Sequence, residues 1–261
     1  MTEKHEFETR FEDFFIEDKY VALKNHLYNY RVRRIAINKV LSEENVEMIL
    51  EVGSGLSPIV TGKDNIIYSE LSYRALSTLK RLNGGQGHYV VADGTKLPFK
   101  EDGVSHVICS EVLEHVEDDQ KAIKELARVM KEDGLACITV PHRMFYFAAD
   151  DRFVSHFRRY ETEEMQEKLD NAGLDLKVMV KVLGPLEKVT MFSTVMVFSM
   201  IQKLTGHREA EKKPSMFMGI IAPVFNLCNT IYVGLARLDA WLMPRSLSTV
   251  VLFEARKPKS V

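Results

Sequence analysis

Only three cysteines occur among 261 residues, too few for a disulfide framework to hold a chain of this length. Cys109 and Cys137 fall within apolar runs that read as strands, where a thiol packs as a small hydrophobe, so a reduced, cytoplasmic setting is expected. An excess of one charge is also missing: 35 basic and 37 acidic side chains leave a formal net charge of −2. A chain so balanced exerts no long-range pull on phosphate polymers, which argues against nucleic acid as a partner. Met1 to His5 are polar, and no apolar stretch leads from them to a small-residue cleavage site, so no export signal is expected. Strong metal-ligand spacing is absent as well. Asp150, Asp151 and His156 come nearest to it, and no metal is expected.

What is present suits one sizeable core with an appendage: 46% of residues are hydrophobic and 28% charged. Phe11, Phe14, Phe15, Tyr20, Leu23, Leu27 and Tyr30 recur at helical spacing among charges, predicting an amphipathic helical cap over residues 1–45. Strand-like runs then alternate with helical ones over residues 46–181: Ile49 to Val52, Asn65 to Tyr68, His88 to Val91, Val104 to Cys109 and Leu135 to Val140. Such alternation predicts an α/β fold on a parallel sheet. Ala122, Ile123, Leu126, Val129 and Met130 form one helical face, with Asp118 or Asp119 to cap its start and Gly134 to end it. A helix from Glu163 to Ala172, closed by Gly173, precedes a strictly alternating strand, Leu174 to Lys181. Residues 182–247 differ in composition and read as an apolar helical insertion, followed by a last strand, Thr249 to Ala255, within residues 248–261.

The chemistry lies at the strand ends. The first strand brings Glu51 into Gly53, Ser54, Gly55, Leu56, Ser57, Pro58, a tight glycine turn where the backbone can approach a ligand and where α/β sheets bind them. Pro58 suits the first position of a following helix. The second strand ends at Glu70, next to Leu71, where a carboxylate can accept both hydroxyls of a ribose. Asp93 and Gly94 close the third strand, and Ser110 and Glu111 the fourth. Scattered surface acids would not favour strand ends in this way.

Ile49 to Gly55, Glu70, Ala92 to Phe99 and Cys109 to Val116 together resemble successive motifs of the class I S-adenosylmethionine (SAM) methyltransferases. Asp93 to Phe99 and the turn at Glu132, Asp133, Gly134 are similar to the small-molecule branch that includes the ubiquinone and menaquinone enzymes. The resemblance implies a Rossmann-like sheet of order 3-2-1-4-5-7-6. It implies that Gly53 and Gly55 pass the methionine part of SAM, Glu70 holds the ribose, Asp93 meets the adenine amine, and Gly94 and Ser110 line the remainder, with Glu51, Ser54, Leu71 and Glu111 beside them. Two features depart from the pattern: Ser57 replaces the third glycine, and residues 55–65 leave room for a helix of few turns, near the lower limit of a parallel crossover. After the fourth strand the chain reads Ser110, Glu111, Val112, Leu113 in place of an Asn-Pro-Pro-Tyr type, which disfavours nucleobase or glutamine amines as acceptors.

Methyl transfer is an in-line displacement that depends mainly on positioning, with a base needed only for some acceptors. His142, which follows the fifth strand directly, is the first candidate base, with His115 and His156 behind it. Arg158 and Arg159, with Tyr160, suit the grip of an acceptor phosphate or carboxylate, or equally a salt-bridged helix entry. The insertion points to the acceptor class: Pro214 to Ala236 carries no charge, and Val189 to Ile201 is apolar apart from Thr and Ser. Pro223, Asn226 and Asn229 interrupt the longer stretch, so a hairpin lying in a membrane interface is expected ahead of a span. The same residues also suit a cover for an apolar acceptor, or a buried subdomain or dimer face, and the sequence does not choose. The expectation is a SAM-dependent methyltransferase acting on a small amphipathic or lipid-like acceptor, cytoplasmic with contact to a membrane surface. A soluble polar metabolite as acceptor and a non-catalytic binding module are the alternatives.

Overall fold

The computed structural model describes residue 25, residues 27–193, residue 196 and residues 216–259. Seven strands form one sheet: β1 (Ile49–Val52), β2 (Ile66–Glu70), β3 (His88–Val91), β4 (Val104–Ser110), β5 (Met130–Pro141), β6 (Asp175–Leu183) and β7 (Val250–Arg256). Their order is β3-β2-β1-β4-β5-β7-β6, as the resemblance implies. The first five run parallel, and β7 lies antiparallel to both β5 and β6. Parallel strands covered on both faces are continuously apolar, and β1 and β4 are buried along almost their whole length.

Two helical layers supply that cover. On one face α3 (Asp119–Val129) and α5 (Thr162–Asp170), which follows the short α4 (Ala149–Phe153), bury Ile123, Leu126, Met165 and Leu169 against the sheet. On the other, α1 (Tyr28–Ser42), α2 (Tyr73–Leu82) and α6 (Met216–Leu242) contribute Ile37, Leu41, Leu76, Leu79, Val233 and Ala236. Each fully buried aliphatic side chain contributes roughly 1.5–3 kcal/mol. Of the cap predicted for residues 1–45, only α1 falls among the described residues; Phe11, Phe14, Phe15, Tyr20 and Leu23 lie outside them.

Four local expectations need correction. No helix separates β1 from β2: residues 53–65 form an irregular loop, so Pro58 starts no helix. Helix α3 is capped by Asp118, which accepts from the Lys121 N–H at 3.0 Å, yet it ends at Val129 because Met130 already pairs with Val104 in the sheet. Gly134 therefore sits inside β5, where a Cβ would meet the Lys131 oxygen at 2.7 Å and the Ser105 oxygen at 2.9 Å; close packing, not capping, requires glycine there. Strand β6 shifts register between Leu176 and Val178, which leaves Val178 47% exposed despite the regular alternation around it. Finally, α6 continues through Pro223, and Asn229 is no interruption. Its side-chain oxygen accepts from the Tyr28 N–H at 3.0 Å, and so ties α6 to the start of α1.

Within the predicted insertion, residues 185–193 are helical as well as α6, and residues 194, 195 and 197–215 lie outside the described set. No helix among the described residues is long and apolar enough to cross a membrane. The outer side of α6 nevertheless presents Leu227, Ile231, Leu235, Leu238 and Leu242, each 48–61% exposed. Their spacing of three and four residues aligns them in one stripe.

Candidate active site

Register brings the functional strand ends to one rim. Val52 lies beside both Ser69 and Cys109, Glu70 beside Val91, and Ser110 beside Thr139. The Gly53 N–H donates to the Ser69 carbonyl at 2.8 Å, which turns the chain sharply at φ +68°. A Cβ on Gly53 would stand 2.4 Å from Val112 Cγ2, so only glycine fits. Gly55 also has positive φ. Its N–H donates to Glu70 Oε2 at 2.9 Å, while Glu70 Oε1 accepts from the N–H groups of Leu71 and Ser72 at 2.8 and 3.2 Å. The buried Glu70 carboxylate thus holds the glycine turn, and with about four acceptor positions it retains capacity for a ligand.

Glu51 faces the loop. Its oxygens accept from the Ile59 and Val60 N–H groups at 2.5 and 3.1 Å, replacing the bonds a crossover helix would have made internally. The Tyr30 hydroxyl of α1 donates to the Pro58 carbonyl at 2.6 Å and the Tyr68 hydroxyl to that of Val60 at 2.9 Å, which completes the fastening. Burial pushes the Glu51 carboxyl up to about 8, against the downward pull of the two amides. The folded protein therefore retains a proton that the unfolded chain releases near pH ~4.3. Glu51 is expected to make stability fall as pH rises from about 4.3 toward 8 and to add no further slope above that. Urea midpoints between those limits, compared with Glu51→Gln, check it; the variant should have the flatter profile.

Around the rest of the rim, Asp93 is exposed and accepts from the Thr95 N–H and hydroxyl, both at 2.8 Å, while Leu71 is also exposed and Gly94 half-buried. Ser110 shares a 2.8 Å hydrogen bond with Thr139. Glu111 takes positive φ and places Oε2 3.6 Å from Arg33 of α1, a residue no sequence motif singled out. The Ser54 hydroxyl, on the glycine turn, is buried and meets no hydrogen-bond partner among the described residues. Such a group fits the polar end of a ligand, because an unpaired buried hydroxyl is costly.

The residues expected to meet the acceptor lie differently from their sequence reading. His142 is only 2% exposed. Its Nδ1 lies 2.8 Å from the Ser248 hydroxyl and its Nε2 3.3 Å from that of Thr162, and burial lowers its proton affinity. The ring lies under the rim, with both nitrogens engaged. Arg158 and Tyr160 bond to Asp119 at 3.1 and 2.8 Å, and Arg159 to Asp151 at 2.8 Å. Their polar groups are spent inside the fold, the salt-bridged alternative for this run. Asp150 and Asp151 both accept from Lys188 at 2.8 Å, so the first turn of the apolar insertion reaches this cluster. Burial alone would raise Asp151, but hydrogen bonds from His156 and Lys188 and the charge of Arg159 hold it well below the usual carboxylate range.

His115 and His156 do come together. Their rings meet edge to face at 4.7 Å, beside the buried Glu114. Burial first, and the charge of Glu111 second, push the Glu114 carboxyl well above its ordinary value. Sequence reading passed over Glu114, though its place between a strand end and His115 was a usable signal.

Residues 50–138 match the family model of the methyltransferase domain. The chain has the class I methyltransferase fold. YcgJ of Bacillus subtilis, named an uncharacterized methyltransferase, is 36% identical over 63 residues, 24% of each chain. The chain spans less than a third of the length of several curated relatives it matches, 31% for two from Mycobacterium tuberculosis. Among solved structures, a SAM-dependent methyltransferase of Thermotoga maritima aligns with TM-score 0.60 at 14% identity, over 95% of this chain and 98% of its own. Phosphoethanolamine N-methyltransferase 2 of Haemonchus contortus, in complex with SAM, aligns with TM-score 0.58 at 16% identity, over 95% of this chain and 60% of its own. The match over residues 50–138 is to a methyltransferase domain, and the fold is shared with these solved methyltransferases. None of them marks the ubiquinone-like branch.

Proposed function

We propose that the chain transfers the methyl group of SAM to a small amphipathic or lipid-like acceptor at a membrane surface. The Gly53 to Gly55 turn and Ser54 would hold the methionine end, Glu70 the ribose and Asp93 the adenine, as their strand-end positions allow. SAM, when bound, supplies an electrophilic methyl on a positively charged sulfur. The protein contributes by positioning the acceptor in line with it. Of the three candidate histidines, His115 and His156 would serve the acceptor, whereas the His142 ring is bonded to Ser248 just before β7. A single observation carries the acceptor class: the exposed leucine and isoleucine stripe of α6, flanked by exposed Arg237, Trp241 and Arg245. An apolar stripe edged by arginines and a tryptophan suits a lipid interface.

Methyl-labelled SAM and a lysate from the protein's own source test the proposal, with Glu70→Ala as control. Label that enters the organic extract only with the unmodified protein supports it. Label confined to polar metabolites overturns the lipid acceptor, and no transfer despite SAM binding overturns the catalytic reading.

A further inference from the structure

The Glu114 carboxylate is fully buried, and neither of its oxygens accepts a hydrogen bond among the described residues. Such a group stays protonated unless something cationic answers it, and a cation placed there would take the proton's place. Two imidazoles stand beside it: one ligand atom each from Glu114, His115 and His156 lie within 4.8 Å of one another. We propose that Glu114, His115 and His156 form a binding site for a divalent transition-metal ion of the zinc type.

The geometry of His156 carries the argument furthest. Its Nδ1 lies 3.0 Å from Asp151 Oδ1, which fixes the tautomer and aims the Nε2 lone pair away from that carboxylate. Nε2 then faces Glu114 Oε1 at 3.8 Å. That separation is too long for a hydrogen bond. It is close to the roughly 3.4 Å between two ligands that share a tetrahedral zinc at ~2.0–2.1 Å from each. Metal-binding histidines almost always give their second ring nitrogen to a carboxylate or carbonyl, and Asp151 occupies that place here. Asp151 is itself anchored by Arg159 at 2.8 Å and Lys188 at 2.8 Å, so the orienting carboxylate cannot swing away. Two imidazoles and one carboxylate match the donor set of an open zinc site, with a fourth position for water or an acceptor oxygen.

The site also has a suitable address. Glu114 and His115 form the 3₁₀ turn just beyond β4, next to Ser110 and Glu111 on the cofactor rim. An ion there would polarise an acceptor oxygen and ease loss of its proton, a task that the enclosed His142 ring is badly placed to perform. The binding claim does not depend on methyl transfer, because the metal alone tests it without cofactor or acceptor.

The full chain would be stripped with chelator and titrated with zinc chloride in a calorimeter, and with cobalt(II) while its visible absorption is followed. One equivalent is expected, with the intense visible bands of tetrahedral cobalt. His115→Ala, His156→Ala and Glu114→Gln should each weaken binding at least about 100-fold, and Asp151→Asn about 10- to 100-fold, as orienting partners do. Circular dichroism would show which variants keep the fold, and the partly exposed His115 should tolerate replacement most easily. Absence of stoichiometric binding by the unmodified chain overturns the proposal. So does binding that survives both histidine substitutions, since the ion would then sit elsewhere.

Discussion

Glu70→Ala is expected to weaken SAM binding by about 100-fold or more in isothermal titration. A carboxylate that accepts from a ribose hydroxyl with its remaining position loses a charge-assisted hydrogen bond when truncated, worth about 1.5–3 kcal/mol, and every 1.4 kcal/mol is tenfold in affinity. A second contribution adds to this. The same carboxylate holds the N–H groups of Gly55, Leu71 and Ser72, so the glycine turn loses its fastening along with the ribose contact. Glu70→Gln separates the two, because one oxygen remains to accept while the charge is gone. Its affinity should fall between the two proteins, with thermal stability nearer to the unmodified chain. Unchanged SAM affinity in the alanine variant would remove Glu70 from the site.

The largest loss of stability is expected from Asp151→Ala, about 3–5 kcal/mol by urea denaturation. The substitution leaves the buried Arg159 guanidinium without its carboxylate and the Lys188 ammonium, nearly as enclosed, with Asp150 alone. An exposed pair makes the comparison: Lys177→Ala, which breaks the contact to Asp175, should cost no more than about 1 kcal/mol. Asp151 also has a signature in acid. Its folded carboxyl titrates well below its unfolded value, so its contribution is complete above pH ~3.9 and is lost as pH falls from there through the folded value. The alanine variant should lack that part of the acid limb.

Much of the sheet was legible because parallel strands announce themselves as apolar runs and their acids fall at one end. Glu70, Asp93 and Glu111 stand at the rim where the spacing put them. What escaped was set by contacts between distant parts of the chain. His142 follows β5 directly, yet Ser248 and Thr249, more than one hundred residues later, close over it at the entry to β7. Arg158, Arg159 and Tyr160 read as a grip for an anion, but Asp119 and Asp151 take them first. Arg33 reaches Glu111 from α1, and Lys188 reaches Asp150 and Asp151 from the insertion, elements singled out in the sequence for their apolar faces. The end of α3 was misplaced for a related reason: Gly134 has the chemistry of a helix stop, and sheet pairing at Met130 ended the helix sooner.

The loop that stands in for the first crossover helix links two parts of the molecule. A helix there would hold itself together and leave α1 as a mere cover. Instead, residues 58–60 are secured by Glu51 from beneath and by Tyr30 and Asn38 from α1. The turn at Gly53 and Gly55 opens directly into that segment. The turn and α1 are therefore joined through three consecutive residues, 58–60, with no helix between them. Because α6 is bonded to the first residue of α1 through Asn229, an unbroken series of contacts runs from the glycine turn to the helix that carries the apolar stripe.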